Sequence, residues 1–122
     1  MPSTGFTGIY KLDATTIDKA ITRTSAGAYV LTREVIGNDI PFTVNYAGRS
    51  DTDLKARLKQ WAAKPGSYTH FKAGYCDSPK EAFEKECGLY HDFGESKLLD
   101  NSIHPQRPAN ASWKCPRCKI FG

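Results

Sequence analysis

Glu86 is the residue whose surroundings most demand an explanation. Taken as a helix at about 100° per residue, the segment after Ser78 puts Ala82, Phe83, Leu89, Tyr90 and Phe93 on one apolar face, with Glu86 in the middle of the stripe. An ionised carboxylate there costs several kcal/mol unless it is paired or metal-bound. Glu84 and Lys85 lie off the stripe and carry no such cost. A carboxylate held at the edge of a dry pocket is a natural ligand for a hard divalent cation. Two other arrangements would also satisfy it: an ion pair with an arginine, or a helix turned so that Glu86 reaches the rim.

Four cysteines offer a second chemistry. Cys87 and His91 are four residues apart, on a helix face next to the Glu86 stripe, and Cys115-Pro116-Arg117-Cys118 is a Cys-x-x-Cys pair. In a reducing compartment such a pair more often means metal or redox chemistry than a structural disulfide. Cys87, His91, Cys115 and Cys118 together form the kind of Cys₃His set that zinc prefers in closed structural sites. His104 is an alternative to His91, and Cys76 to Cys87. The other outcome is a buried Cys87 and a tail knuckle without metal.

The formal net charge is +4, and its location matters more than its size. Met1 to Ile103 holds 13 basic and 13 acidic residues, so the whole excess lies in the last 19 residues, at Arg107, Lys114, Arg117 and Lys119. A basic tail on an otherwise neutral domain suits a polyanion such as nucleic acid, and suits a solvated terminus equally well. Zinc in the tail would bring Lys114, Arg117 and Lys119 beside the Glu86 region. No apolar run approaches the roughly 20 residues of a membrane span. The first residues lack a basic region followed by an apolar block. A cytoplasmic protein with no membrane partner is therefore expected, and 122 residues fit one domain.

The elements that must position these groups can be read coarsely. Residues 6 to 26 are weakly patterned, with a short helix around Thr15 to Ile21. Gly27 to Arg33 is rich in β-formers, and Phe42 to Tyr46 alternates after the Gly37-Asn38-Asp39 turn, which predicts a hairpin. Gly48 should end the second strand, with Ser50 as N-cap of a helix carrying Leu54, Leu58, Trp61 and Ala62 to about Ala63. After the Pro65-Gly66 break, Tyr68 to Cys76 reads as a third strand. Ser78 as cap, Pro79 at the first helical position and Glu81 completing a capping box begin a helix that runs to about Phe93. The pattern is a small sheet covered by helices, α/β or α+β, with a loop-rich, proline-containing tail.

With these elements in place, four pieces of the chain resemble the GIY-YIG endonuclease superfamily. Gly27-Ala28-Tyr29-Val30-Leu31 and Tyr46-Ala47-Gly48-Arg49-Ser50 resemble its paired "GIY" and "YIG" strands. Asp53-Leu54-Lys55-Ala56-Arg57-Leu58 resembles its first helix, Glu81 to Glu86 with Leu89-Tyr90 its later helix, and Leu99-Asp100-Asn101 the segment with its closing asparagine. Gly8-Ile9-Tyr10 spells the first motif literally but is set aside, because 35 residues separate Tyr10 from Tyr46, too many for a hairpin. Alanine replaces isoleucine in both tripeptides, and the long gap after Glu86 leaves Asn110 as a rival to Asn101. Trp61 stands where many members carry a histidine, which leaves that role unfilled or passes it to His70 or His104.

The resemblance implies a three-stranded antiparallel sheet flanked by helices, a nuclease core over about residues 27–101, and a basic tail over 102–122 of the same domain. It implies hydrolysis of phosphodiester bonds in DNA. Glu86 would bind one Mg²⁺ or Mn²⁺, Tyr29 would act as general base, Tyr46 would position water or phosphate, and Arg57 would fork onto the scissile phosphate. Asn101 completes the implied catalytic set, and Arg49 joins Lys114, Arg117 and Lys119 as expected nucleic-acid contacts. Strand parity is compatible with this, since Tyr29 and Leu31 share a face, as do Val44 and Tyr46 in the expected strand. The competing expectation is a catalytically silent nucleic-acid-binding or zinc-containing adaptor module.

Overall fold

A computed structural model describes residues 6, 9–33, 44–64, 68–95 and 99–101. In chain order it contains β1 (Tyr10–Lys11), α1 (Ala14–Ala20), β2 (Gly27–Thr32), β3 (Tyr46–Ser50), α2 (Leu54–Ala62), β4 (His70–Tyr75) and α3 (Pro79–Asp92). The four strands form one sheet in the order β1-β4-β2-β3, and every neighbouring pair is antiparallel. The fold is a mixed α/β arrangement. No helix among the described residues is long and apolar enough to cross a membrane.

Helices cover both faces of the sheet. On one, Tyr29 and Leu31 of β2 and Phe71 of β4 pack with Ile17 of α1 and with Leu54 and Leu58 of α2. On the other, Ala28 and Val30 of β2 and Ala47 of β3 pack with Leu89 and Tyr90 of α3. Every residue of β2 is buried, because that strand has a neighbour on each side and a helix layer on each face. Such burial is why its run of β-formers is apolar throughout rather than alternating.

Local signals fix both long helices. The Ser78 side chain accepts from the Glu81 N–H at 3.1 Å, and Pro79 opens α3 where a missing N–H costs nothing. Six α3 residues are buried, Glu86 among them, on the stripe that the sequence predicts. For α2 the cap is Asp53, not Ser50: Asp53 Oδ1 accepts from the Ala56 N–H at 3.1 Å. Ser50 ends β3, and its hydroxyl accepts from the Asp53 N–H at 2.9 Å.

Two expectations about the sheet need correction. Among the described residues the sheet has four strands rather than three, because Tyr10–Lys11 pairs with Phe71 and His70 of β4. Two residues are too short to show alternation, so this pairing is made by the tertiary fold. The second strand of the hairpin is also displaced. Residues 42 and 43 lie outside the described residues, Val44 and Asn45 are not in a strand, and β3 runs from Tyr46 through Gly48 to Ser50. Asn45 closes the ladder with its side chain, accepting from the Arg33 N–H at 2.9 Å. That break puts Val44 with the α3 layer while Tyr46 packs on the α1/α2 layer, so the two do not share a face.

Candidate active site

Tyr29 and Tyr46 converge as a consequence of register. Tyr29 stands opposite Gly48 and Leu31 opposite Tyr46, which puts both tyrosines on the α1/α2 face, diagonal to one another. Glycine at 48 is required by contact rather than by backbone angle. A Cβ there would lie 2.5 Å from both Cζ and Oη of Tyr29, so the phenol lies directly over that residue. Gly48 therefore does not end the strand; it makes room in its middle.

Among the described residues β3 is an edge strand, and a cleft of about 240 Å³ lies along it. Its lining comes from four elements and a turn: Tyr29 of β2, Tyr46, Gly48 and Arg49 of β3, Asp51 after it, Arg57 of α2, and Glu86 of α3. The chain thus brings four of the five expected catalytic residues into one cavity. The fifth, Asn101, is not in the lining. Its side-chain amide brackets the Ala47 peptide, donating to the Ala47 carbonyl at 2.7 Å and accepting from the Ala47 N–H at 3.0 Å. Asn101 thereby completes hydrogen bonds that the outer side of β3 would otherwise lack, and it is a positioning residue.

Glu86 is 8% exposed and reaches the cleft from the apolar stripe of α3. Its Oε1 accepts from Arg49 Nη1 at 2.5 Å, and Arg49 Nε reaches Asp51 Oδ1 at 2.8 Å. The guanidinium also lies 5.1 Å from the centre of the Phe83 ring, one turn before Glu86 on α3. Arg49, an expected nucleic-acid contact, lines the cleft and is held between two carboxylates. Burial raises the Glu86 pKa above its ordinary value, and the Arg49 charge only partly opposes this. The second Glu86 oxygen has no hydrogen-bond partner among the described residues. One open carboxylate oxygen, with Asp51 nearby, is a hard-oxygen donor set compatible with a divalent cation.

The Tyr29 phenol is fully buried, and burial pushes its pKa up to about 12. Its oxygen accepts a hydrogen bond from Trp61 Nε1–H at 2.7 Å, and the Arg57 charge also works to lower the pKa. Tyr46 is likewise raised, first by burial and then by the Glu86 charge, with Arg57 again opposing. Arg57 is exposed and forms no ion pair with a described residue; its Nη1 donates to Gln60 Oε1 at 3.0 Å. It is thus the cation of the cleft whose charge is available to an incoming anion.

Behind Tyr46 the cleft is backed by aromatic rings. Tyr46 lies 4.8 Å from Trp61 and 6.1 Å from Tyr68, centroid to centroid. Tyr68 donates to Asp100 Oδ2 at 2.7 Å, and Asp100 also pairs with Arg33.

His70, a candidate for the role vacated at Trp61, is not in the cleft; its Nδ1 lies 2.9 Å from Thr69 Oγ1. Tyr10 is in β1, separated from β3 by both β4 and β2 in the sheet order. Of the expected zinc set, Cys87 is fully buried on α3, and His91 one turn later has Nδ1 against Glu95. Cys76 packs with Ala26 and Ala82 instead. Cys115, Cys118, His104, Asn110, Lys114, Arg117 and Lys119 lie outside the described residues. Among the described residues, no group of three or more His, Cys, Asp or Glu side chains is placed to hold a metal.

Asp51 and the Trp61–Tyr29 bond are cleft features that sequence reasoning missed. Asp51 had a faint signal, an acid two residues after Arg49 at the end of a strand. Comparison of the chain with family models, with curated proteins and with solved structures found no match.

Proposed function

We propose that this protein is a metal-dependent endonuclease of the GIY-YIG type that hydrolyses phosphodiester bonds in DNA. One observation supports this above all: Tyr29, Tyr46, Arg57 and Glu86, drawn from four elements, line a single cleft. The fully buried phenol and the nearly buried carboxylate carry a desolvation cost that packing alone gives no reason to accept.

In this reading Glu86 would hold Mg²⁺ or Mn²⁺, with Asp51 in the lining of the same cleft. When bound, the ion would neutralise the scissile phosphate and stabilise the leaving 3′ oxygen. Arg57 forks onto the phosphate, as its free charge allows. Tyr46 orients the attacking water or a phosphate oxygen. Tyr29 takes the proton of that water, for which it must first be a phenolate. Trp61 and Arg57 favour that form while burial opposes it. Cys87, His91, Cys115 and Cys118 would hold a structural Zn²⁺ apart from this chemistry.

A second reading, a silent nucleic-acid-binding or adaptor module, is favoured by one observation. Arg49 already pairs with Glu86, as a purely structural carboxylate would require.

The test is incubation of purified protein with supercoiled, linear and single-stranded DNA in Mg²⁺, Mn²⁺ or EDTA. Cleavage in either metal and none in EDTA is expected, and Glu86→Ala should abolish it while the protein stays folded. Arg49 retains Asp51 in that variant, so no buried cation is stranded. Tyr29→Phe should cost on the order of 10²-fold in rate, and Tyr10→Phe almost nothing. DNA binding without cleavage in any metal would establish the silent module instead.

A further inference from the structure

We infer that Trp61 is a positioning residue for Tyr29: its indole N–H fixes the phenol so that Tyr29 presents its own proton to an anionic oxygen, of the phosphate class, in the cleft. The catalytic consequence rests on the nuclease reading; the hydrogen-bond arrangement does not.

Donor and acceptor counts lead to this directly. An indole N–H is a donor only, so Tyr29 Oη accepts in the 2.7 Å bond from Trp61 Nε1. The Arg57 guanidinium beside it is also a donor only. The phenol proton is thereby excluded from both directions. No described residue accepts from it, although Tyr29 is fully buried and its ring forms part of the cleft wall. A buried hydroxyl with its proton unspent needs an acceptor, and the cleft is the place where one can enter. Glu86 on α3, Arg49 and Tyr46 on β3 and Arg57 on α2 are the other ionisable groups facing that space, with Asp51 after β3.

Geometry makes this arrangement rigid. Trp61 follows Arg57 by one turn of α2, so the helix that carries the free cation also carries the indole. The indole ring lies 4.8 Å from Tyr46 on the neighbouring strand, and the fully buried Tyr29 ring lies over Gly48. Neutral Tyr29 thus meets the cleft as a donor, aimed at a phosphate oxygen. When solvent hydroxide takes that proton and becomes water, the indole and guanidinium remain as donors to the phenolate, and the vacated direction accepts from water. The same bond therefore serves both protonation states.

The experiment follows the indole N–H by proton–nitrogen NMR of the full chain. The sequence holds two tryptophans, so the Trp61 signal is assigned by its loss in Trp61→Phe. In Tyr29→Phe that signal should move upfield as its acceptor disappears. In the wild type, inorganic phosphate should shift it in a saturable manner, and in Tyr29→Phe it should not. An unmoved signal in Tyr29→Phe, with the other amide signals preserved, overturns the inference; so does a wild-type signal that ignores phosphate.

With DNA as substrate, Trp61→Phe should lower kcat by about tenfold or more while KM changes little, as expected for loss of a donor felt mainly in the transition state. Trp61→His, which restores a ring N–H, should recover much of the rate. Equal rates for Trp61→Phe and wild type would also overturn the assignment. If the wild type cuts no DNA in any metal, the nuclease reading fails, and the NMR arms still decide whether Trp61 orients Tyr29.

Discussion

Glu86 is buried on an apolar helix stripe, and Arg49 does not fully compensate that burial, so the ionised carboxylate weakens the fold. Its folded-state pKa lies above the unfolded value, so the native protein binds that proton more tightly than the unfolded chain does. Stability from this group is therefore full below the unfolded pKa and is lost as pH rises through the folded one. Glu86→Gln removes the titration and keeps the shape. At about pH 4 the variant and the wild type should melt together. Near neutral pH the variant should melt higher, with Arg49 still held by Asp51. Paired melting curves at the two pH values check this; a variant less stable than wild type at neutral pH would mean that the Arg49 pair outweighs the desolvation. The cost at Glu86 was legible in the sequence because it follows from one residue breaking a helical pattern. Its partner was not, because Arg49 is 37 residues earlier and only the β3–α3 packing brings them together.

Gly48 joins two elements by having no side chain. A methyl there would lie 2.5 Å from the far end of the Tyr29 ring, and that end is tied to Trp61 at 2.7 Å. Either β3 moves away from β2 or the phenol leaves its place. Gly48→Ala should therefore cost roughly 1–3 kcal/mol by overpacking. On the nuclease reading it should also abolish cleavage even at temperatures where the variant is folded, since Tyr29 and the cleft floor are displaced together. Melting curves and cleavage rates on the same preparation test this, and a folded, fully active variant would show that the cleft tolerates a wider strand separation. The same contact explains why the sequence alone predicts β3 too early in the chain. The alternation from Phe42 to Tyr46 is a local signal, whereas pairing over Tyr46–Ser50 is imposed by β2, and a glycine suited to close approach looks like a terminator when read alone. By contrast, α3 was legible nearly residue for residue, since Ser78, Pro79 and Glu81 carry its start locally.

The cleft is nearly balanced in charge, with Arg49 and Arg57 against Asp51 and Glu86, so it supplies little long-range attraction to a polyanion. On the proposed reading, affinity for DNA must come from elsewhere, and the surplus positive charge of the chain lies in its last 19 residues. On the same reading the buried Cys87 and neighbouring His91 on α3 would supply half of a zinc site, with Cys115 and Cys118 as the other two ligands. Protein purified without added metal should contain about one zinc per chain. Cys115→Ser should then lose the zinc, lower the melting temperature and weaken DNA binding together, because a structural site contributes through folding. Glu86→Ala should keep the zinc and lose only cleavage. DNA affinity should fall steeply with salt, and neutralising Lys114, Arg117 and Lys119 should flatten the log–log slope by about 2.7, at about 0.9 per phosphate contact. Elemental analysis, melting curves and salt titrations measure these three quantities separately. Zinc-free protein whose melting curve ignores Cys115→Ser would eliminate the site. An unchanged salt slope would remove the tail from the DNA contact, and neither result would alter the chemistry assigned to the cleft.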